Sequence, residues 1–136
     1  MARGRKTYSR MEKFVEQSST TISSGASVVF SYQLDGGEVE AQVKRIMFSA
    51  AESGTSVSKS VVFKIGLFQF APAAAQFNED EAIVISGAVG NQFVHNETIT
   101  MRVPKDYFLG LILTNQSPTD VSLTNYSLQL NYKVLN

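Results

Sequence analysis

Two groups of carboxylates are the residues whose types and spacing come closest to a chemical site. The first group is Asp35, Glu38 and Glu40, and the second is the run Glu79, Asp80 and Glu81. Paired carboxylates can hydrolyse glycosidic bonds at a defined separation, and clustered ones can bind Ca²⁺ from a loop. Neither group has the spacing of an EF-hand loop, and both adjoin turn residues. We therefore expect solvated loop acids.

The other reactive residue types are scarce. The chain has no cysteine, and its one histidine, His95, lies between two predicted strands. No nucleophile elbow, phosphate-binding loop or dinucleotide motif is present. A zinc site would normally need more histidine or cysteine ligands than one. The sequence therefore predicts a protein that is not an enzyme and has no cofactor or metal.

Positive charge is concentrated at the start of the chain. Residues 1–13 carry five basic residues and one acid, whereas residues 14–136 carry seven basic and eleven acidic residues, so the two parts have net charges of +4 and −4. Such asymmetry indicates an anionic partner, and we predict nucleic-acid binding by the basic residues. The alternative is a solubilising tail that binds nothing. The predicted nucleic-acid-binding residues are Arg3, Arg5, Lys6, Arg10 and Lys13.

The remainder of the chain reads as strands separated by turns. Arg10 to Gln17 has helical spacing of Met11, Phe14 and Val15 and predicts a short helix. Beyond it we count roughly eight extended runs, and the strand that precedes Asp35-Gly36-Gly37 predicts a hairpin. Gly66 lies inside a run, where it predicts a bulge or a close backbone approach. The clearest runs are 27–34, 38–50, 56–70, 81–89, 97–103, 107–115 and 121–135.

These patterns predict one all-β domain in a chain of 136 residues. Eight antiparallel strands in two facing sheets match a jelly-roll β-sandwich. We place a short basic N-terminal arm, with the possible helix, at residues 1–18 and the sandwich at residues 19–136. An immunoglobulin-like sandwich is the chief competitor, although the chain has neither the cysteine pair nor the tryptophan typical of that fold.

The stretch LFQFAPAAAQF (67–77) has no charged residue. An uncharged loop of this kind either forms a contact surface or folds back over the core of its own domain. Both readings are open at the level of sequence.

A basic arm that begins MARGRK, joined to a body of about eight strands, resembles the coat proteins of small icosahedral viruses. The resemblance implies a structural capsid protein of the virion, which assembles with copies of itself into a shell. It also implies that the N-terminal arm faces the packaged genome or a neighbouring subunit. This arm is shorter and less basic than those that commonly neutralise a packaged genome.

Other classes of binding protein fit the composition as well. A carbohydrate-binding or adhesion module would use exposed aromatic rings, and a phage spike or decoration protein would share the same strand pattern. No run approaches the roughly 18 apolar residues of a membrane span. The aromatic candidates for a sugar site are Tyr32, Tyr107, Tyr126 and Tyr132.

Overall fold

The computed structural model describes residues 9–53, 61–78, 82–89 and 93–135, which form eight β-strands and two short 3₁₀ turns. The turns, Leu34–Gly37 and Ala74–Asn78, follow the second and fourth strands. No helix in this part of the chain is long and apolar enough to cross a membrane. The strands are β1 (Ser9–Ile22), β2 (Ser27–Tyr32), β3 (Glu40–Ser53), β4 (Val61–Phe68), β5 (Ile83–Ala88), β6 (Phe93–Val103), β7 (Phe108–Asn115) and β8 (Val121–Leu135).

The strands form two antiparallel four-stranded sheets packed as a sandwich. The first sheet has the order β1-β8-β3-β6, and the second has the order β2-β7-β4-β5. Among the described strands, β4 and β5 are the one consecutive pair that lies side by side in a sheet. Nearly every connection therefore crosses from one sheet to the other. The prediction of an all-β sandwich is confirmed.

Alternation of side chains along the strands builds the core between the sheets. In β4, Val61, Phe63 and Ile65 are buried and the residues between them are half-buried. The ring of Phe63 meets Phe48 of β3 with their centroids 4.7 Å apart, which joins the two sheets. Full burial of each such side chain contributes about 1.5–3 kcal/mol. The β-branched and aromatic residues of these runs thus form strands because each strand has a buried face.

The predicted helix within Arg10–Gln17 is wrong, because these residues lie in β1. Twelve residues of β1 pair with β8, from Ser9 opposite Lys133 to Ile22 opposite Val121. A register shift between Lys13 and Val15 accommodates one extra residue. Pairing with a distant strand has overridden the local helical spacing, as tertiary context commonly does. The predicted domain boundary after residue 18 falls inside this strand.

The Asp35-Gly36-Gly37 turn exists, but the hairpin predicted from it is wrong. The strands on either side, β2 and β3, lie in different sheets. Asp35, Gly36 and Gly37 have φ values of 50°, 69° and 81°, a left-handed path that glycine adopts at little cost. The carbonyl of Gly37 accepts a hydrogen bond of 3.0 Å from the backbone N–H of Asp106, so this turn packs against the β6–β7 turn.

The opposite end of the sandwich is organised by Asn115, whose side chain is fully buried. Its Nδ2 donates to the carbonyls of Ile22 and Thr119, each at 2.9 Å, and its Oδ1 accepts from the N–H of Ser117 at 2.9 Å. One amide thus joins the end of β1 to the β7–β8 turn.

Candidate functional site

The uncharged β4–β5 segment, residues 67–77, divides into a buried part and an exposed part. Phe68 and Phe77 are 7% and 1% exposed, and Pro72 is also buried. Phe70, in contrast, is 78% exposed. One side of the segment therefore folds back over its own sheet and the other side faces solvent, and the use of that exposed side as a contact surface stays a prediction.

The buried part forms a small second core on the outer face of the second sheet. Phe68, Phe77 and Ile112 are its buried members. The rings of Phe68 and Phe77 meet edge to face with centroids 4.9 Å apart. Lys64 Nζ donates to the carbonyl of Phe77 at 3.2 Å, which ties the segment to β4. This packing holds the exposed part of the segment in place.

Gly66 behaves as its position in the sequence predicts. The pairing of β4 with β5 shifts register between Ile65 and Gly66. A Cβ on Gly66 would lie 2.8 Å from the carbonyl oxygen of Ala82 and 2.8 Å from the ring of Phe68. The predicted close backbone approach at Gly66 is therefore confirmed, whereas the extra residue of the bulge, Val84, lies in the partner strand β5.

An open cleft of about 750 Å³ lies beside the exposed ring of Phe70. The β4–β5 segment forms most of its wall, and Tyr107, from the β6–β7 connection, completes it. None of the lining residues within the described ranges is charged. They are Leu67, Phe68, Gln69, Phe70, Ala71, Pro72, Ala73, Gln76, Ala82 and Tyr107.

Two hydrogen bonds orient the polar groups of the cleft. Gln69 Nε2 donates to Tyr107 Oη at 3.0 Å. The backbone N–H of Ala73 donates to Gln76 Oε1 at 2.7 Å. Three polar groups have no protein hydrogen-bond partner among the described residues. They are the Tyr107 hydroxyl proton, the Gln69 carbonyl oxygen and the Gln76 amide hydrogens. The cleft thus combines an exposed aromatic ring with oriented donors and acceptors.

The basic residues predicted to bind nucleic acid are placed only in part. Arg3, Arg5 and Lys6 lie outside the described residues. Arg10 and Lys13 belong to β1, where the backbone register sets them opposite Tyr132 and Gln129 of β8. The prediction that these five residues bind nucleic acid stays a prediction.

The predicted acid groups do not form a metal site in the described part of the chain. Among those residues, no three histidine or acidic side chains lie together as metal ligands would. Glu40 Oε2 instead accepts hydrogen bonds from Arg102 Nε and Nη2, at 2.9 and 2.6 Å, as one exposed ion pair. Residues 79–81 lie outside the described residues.

The tyrosines proposed for a sugar site occupy different environments. Tyr126 and Tyr132 are fully buried, and the hydroxyl of Tyr126 donates to Thr20 Oγ1 at 2.9 Å. Tyr32 packs against the main core, and burial, followed by the proximity of Tyr126, raises the pKa of its phenol above 10.0. Tyr107 alone of the four lines the open cleft.

The backbone of His95 belongs to a strand, and the structure assigns the residue to no site. It lies in β6, opposite Phe48 of β3.

Sequence reasoning missed the pairing of Gln69 with Tyr107, since 38 residues separate them and no local pattern links them.

The fold is an antiparallel β-sandwich, and a known protein structure contains a similar fold. The crystal structure of dimeric latent PorU from Porphyromonas gingivalis contains a similar region, with a TM-score of 0.61 and 10% sequence identity. The match covers 94% of this chain but only 13% of PorU. At this identity the similarity extends to the fold alone. No protein-family model matches the sequence, and a search of curated proteins finds no match.

Proposed function

We propose that this protein is a structural coat protein with a jelly-roll fold, which assembles with copies of itself into a virus shell. The strand pairing carries the proposal. β1 pairs with β8, β2 with β7, and β4 with β5, and β3 pairs with β6 in the same nested series. Nested antiparallel pairs of this kind describe one long hairpin wound across two sheets, which is the plan of a jelly roll.

The same pairing argues against the immunoglobulin-like alternative. In that fold the first, second, fifth and fourth strands share a sheet, so the first strand pairs with the second. Here β1 and β2 lie in different sheets, and β1 pairs with the last strand. Jelly rolls host several functions, so the step from fold to coat protein rests on the resemblance of the arm and body together.

The second sheet offers a contact surface between subunits. Its four strands contain one charged residue, Lys64. On the outer face, one row crosses all four strands and holds small neutral side chains that are half-buried or exposed. Such a face packs against a neighbour without stripping water from charges. The row, which we call the neutral row, consists of Ser27, Thr114, Val62 and Ala88.

The first eight residues of the basic arm give the proposed subunit a second contact region. Residues 1–8 carry Arg3, Arg5 and Lys6 and no acid. In the proposed shell this segment contacts the phosphates of the packaged genome or an acidic surface of the neighbouring subunit. Three cations per subunit neutralise few phosphates, so the arm supplements rather than dominates any genome contact.

A lysine in the neutral row tests the proposed contact. In the Val62→Lys variant we expect loss of the large assembly in sedimentation velocity, because the contact would then bury an unpaired charge. Thr100→Lys is the matched control, since Thr100 is exposed on β6 of the other sheet. Equal assembly of both variants and the native protein would contradict the assignment of this face.

A further inference from the structure

We propose that the cleft beside Phe70 binds a neutral saccharide. Its volume of about 750 Å³ lies within the usual range of small-molecule sites. The lining residues that belong to the described part of the chain are all uncharged, which favours an uncharged ligand over a nucleotide, a phosphate or an acidic glycan. The inference concerns the single chain and holds whether or not the protein forms a shell.

Phe70 supplies the apolar platform of the site. The Phe70 ring is 78% exposed and lines the cleft, and aromatic side chains commonly line small-molecule sites. The C–H groups on one side of a sugar ring carry partial positive charge, and the face of an aromatic ring carries partial negative charge. A sugar ring laid on Phe70 would gain both this attraction and the burial of apolar surface.

Gln69, Gln76 and Tyr107 supply the polar contacts. Each already makes one hydrogen bond that fixes its orientation, so little side-chain entropy remains to be lost on binding. The remaining groups include both donors and acceptors. Hydroxyl groups also donate and accept, so a polyhydroxylated ligand can satisfy both kinds of group at once.

The support beneath the cleft is closely packed. Pro72 and Phe77 pack over Gly110 of β7, within 3 Å of the place where a Cβ would stand. The short 3₁₀ turn Ala74–Asn78 carries Gln76 above this packed layer. The loop is therefore held by the sheet, which preorganises the site before a ligand arrives.

Other occupants fit the lining less well. A nucleic acid would need cations, and the described residues of the lining supply none. A purely apolar partner would cover the amides of Gln69 and Gln76 without hydrogen bonds, which costs free energy for each unsatisfied group. A second copy of this chain is the remaining rival, and the experiment distinguishes it.

The test is a microarray of neutral and acidic glycans, followed by calorimetric titration with the neutral oligosaccharides cellotetraose and chitotetraose and with the strongest neutral glycan from the array. We expect the native protein to bind neutral glycans. Phe70→Ala should raise the dissociation constant about three- to tenfold, as loss of an aromatic contact does. Tyr107→Phe, which removes only a hydroxyl, should also weaken binding. Lys105→Ala, an exposed change outside the cleft lining, is the control and should bind as the native protein does.

Three results would overturn the proposal. The first is the absence of any neutral glycan bound by the folded native protein. The second is unchanged affinity in both Phe70→Ala and Tyr107→Phe. The third is a Phe70→Ala variant whose sedimentation changes while its glycan affinity does not, which would assign the cleft to a second copy of the chain.

Discussion

Gly66 of β4 lies directly opposite Gly110 of β7, and together they open a trough in the outer face of the second sheet. Neither glycine has a positive φ, so their role is to leave space. Phe68 and Phe77 occupy that space. The pair of glycines thus explains why an apolar loop can lie flat on this sheet while Phe70 stays exposed beside the cleft.

Adding a methyl group to the trough should destabilise the protein. In Gly110→Ala the new Cβ would stand 2.8 Å from Phe77 Cζ and 2.9 Å from Pro72 Cγ. We expect a loss of about 1–3 kcal/mol in the free energy of unfolding, the usual cost of overpacking. Urea unfolding of the purified variant measures it.

A double mutant supplies the control for this prediction. Phe77→Leu replaces the ring that the new methyl group would meet with a shorter side chain. The cost of Gly110→Ala should therefore be smaller in the Phe77→Leu background than in the native protein, since contacting residues are not additive. Strictly additive effects would contradict the proposed contact.

Part of this architecture was predictable from the sequence, because strand periodicity is local. Alternation along 97–103 and 121–135 and the turn residues between runs identified most strands and the all-β class. The close approach at Gly66 was also predicted, since a glycine inside a strand commonly marks a bulge or a close contact with its backbone. The N-terminal strand was not predicted, because what makes β1 a strand is its pairing with β8, about a hundred residues or more away in the chain.

The division of residues 67–77 could not be read from composition. Phe68, Phe70 and Phe77 look alike in sequence, yet only Phe70 is exposed. The difference depends on the trough formed by Gly66 and Gly110, which belong to strands that are paired in space but 44 residues apart in the chain. The same limit applies to the cleft, whose wall joins Gln69 to Tyr107.

Stability should fall with increasing pH in the alkaline range because of Tyr32. Burial, followed by the proximity of Tyr126, raises the pKa of its phenol in the folded state above the ordinary value of 10.0. Below that pH the phenol is protonated in both states and its contribution to stability is complete. As the pH rises above 10.0 the unfolded state ionises first, so this contribution is lost as the pH passes through the raised folded-state pKa.

Urea unfolding on both sides of pH 10.0 checks this prediction. Tyr32→Phe removes the titrating group, so its free energy of unfolding should decline less steeply over the alkaline range than that of the native protein. The same decline in both proteins would show that other groups control alkaline unfolding.

Nucleic-acid binding by the arm is testable with a deletion that leaves the described strands intact in sequence. Deleting residues 2–8 removes Arg3, Arg5 and Lys6 and ends before Ser9, where β1 begins. If the arm binds phosphate, the deletion should make the slope of log affinity against log salt concentration shallower. The expected change in slope is about 2 for single-stranded and about 2.7 for double-stranded nucleic acid. Filter binding at several salt concentrations measures the slope.

The matched control removes the same charge from the body. Lys44, Arg45 and Lys105 are exposed, and their combined replacement by alanine lowers the net charge by the same three units. We expect this triple variant to retain more of the salt dependence than the deletion does. Equal slopes for the deletion and the native protein would remove the arm from any genome contact.

Electron microscopy of the purified native protein tests the central proposal most directly, because a shell-forming subunit should build closed particles without another component. We predict closed particles of uniform diameter at some condition between mildly acidic and neutral pH and between low and high salt. A protein that stays monomeric at high concentration throughout that range would contradict its assignment as a coat protein.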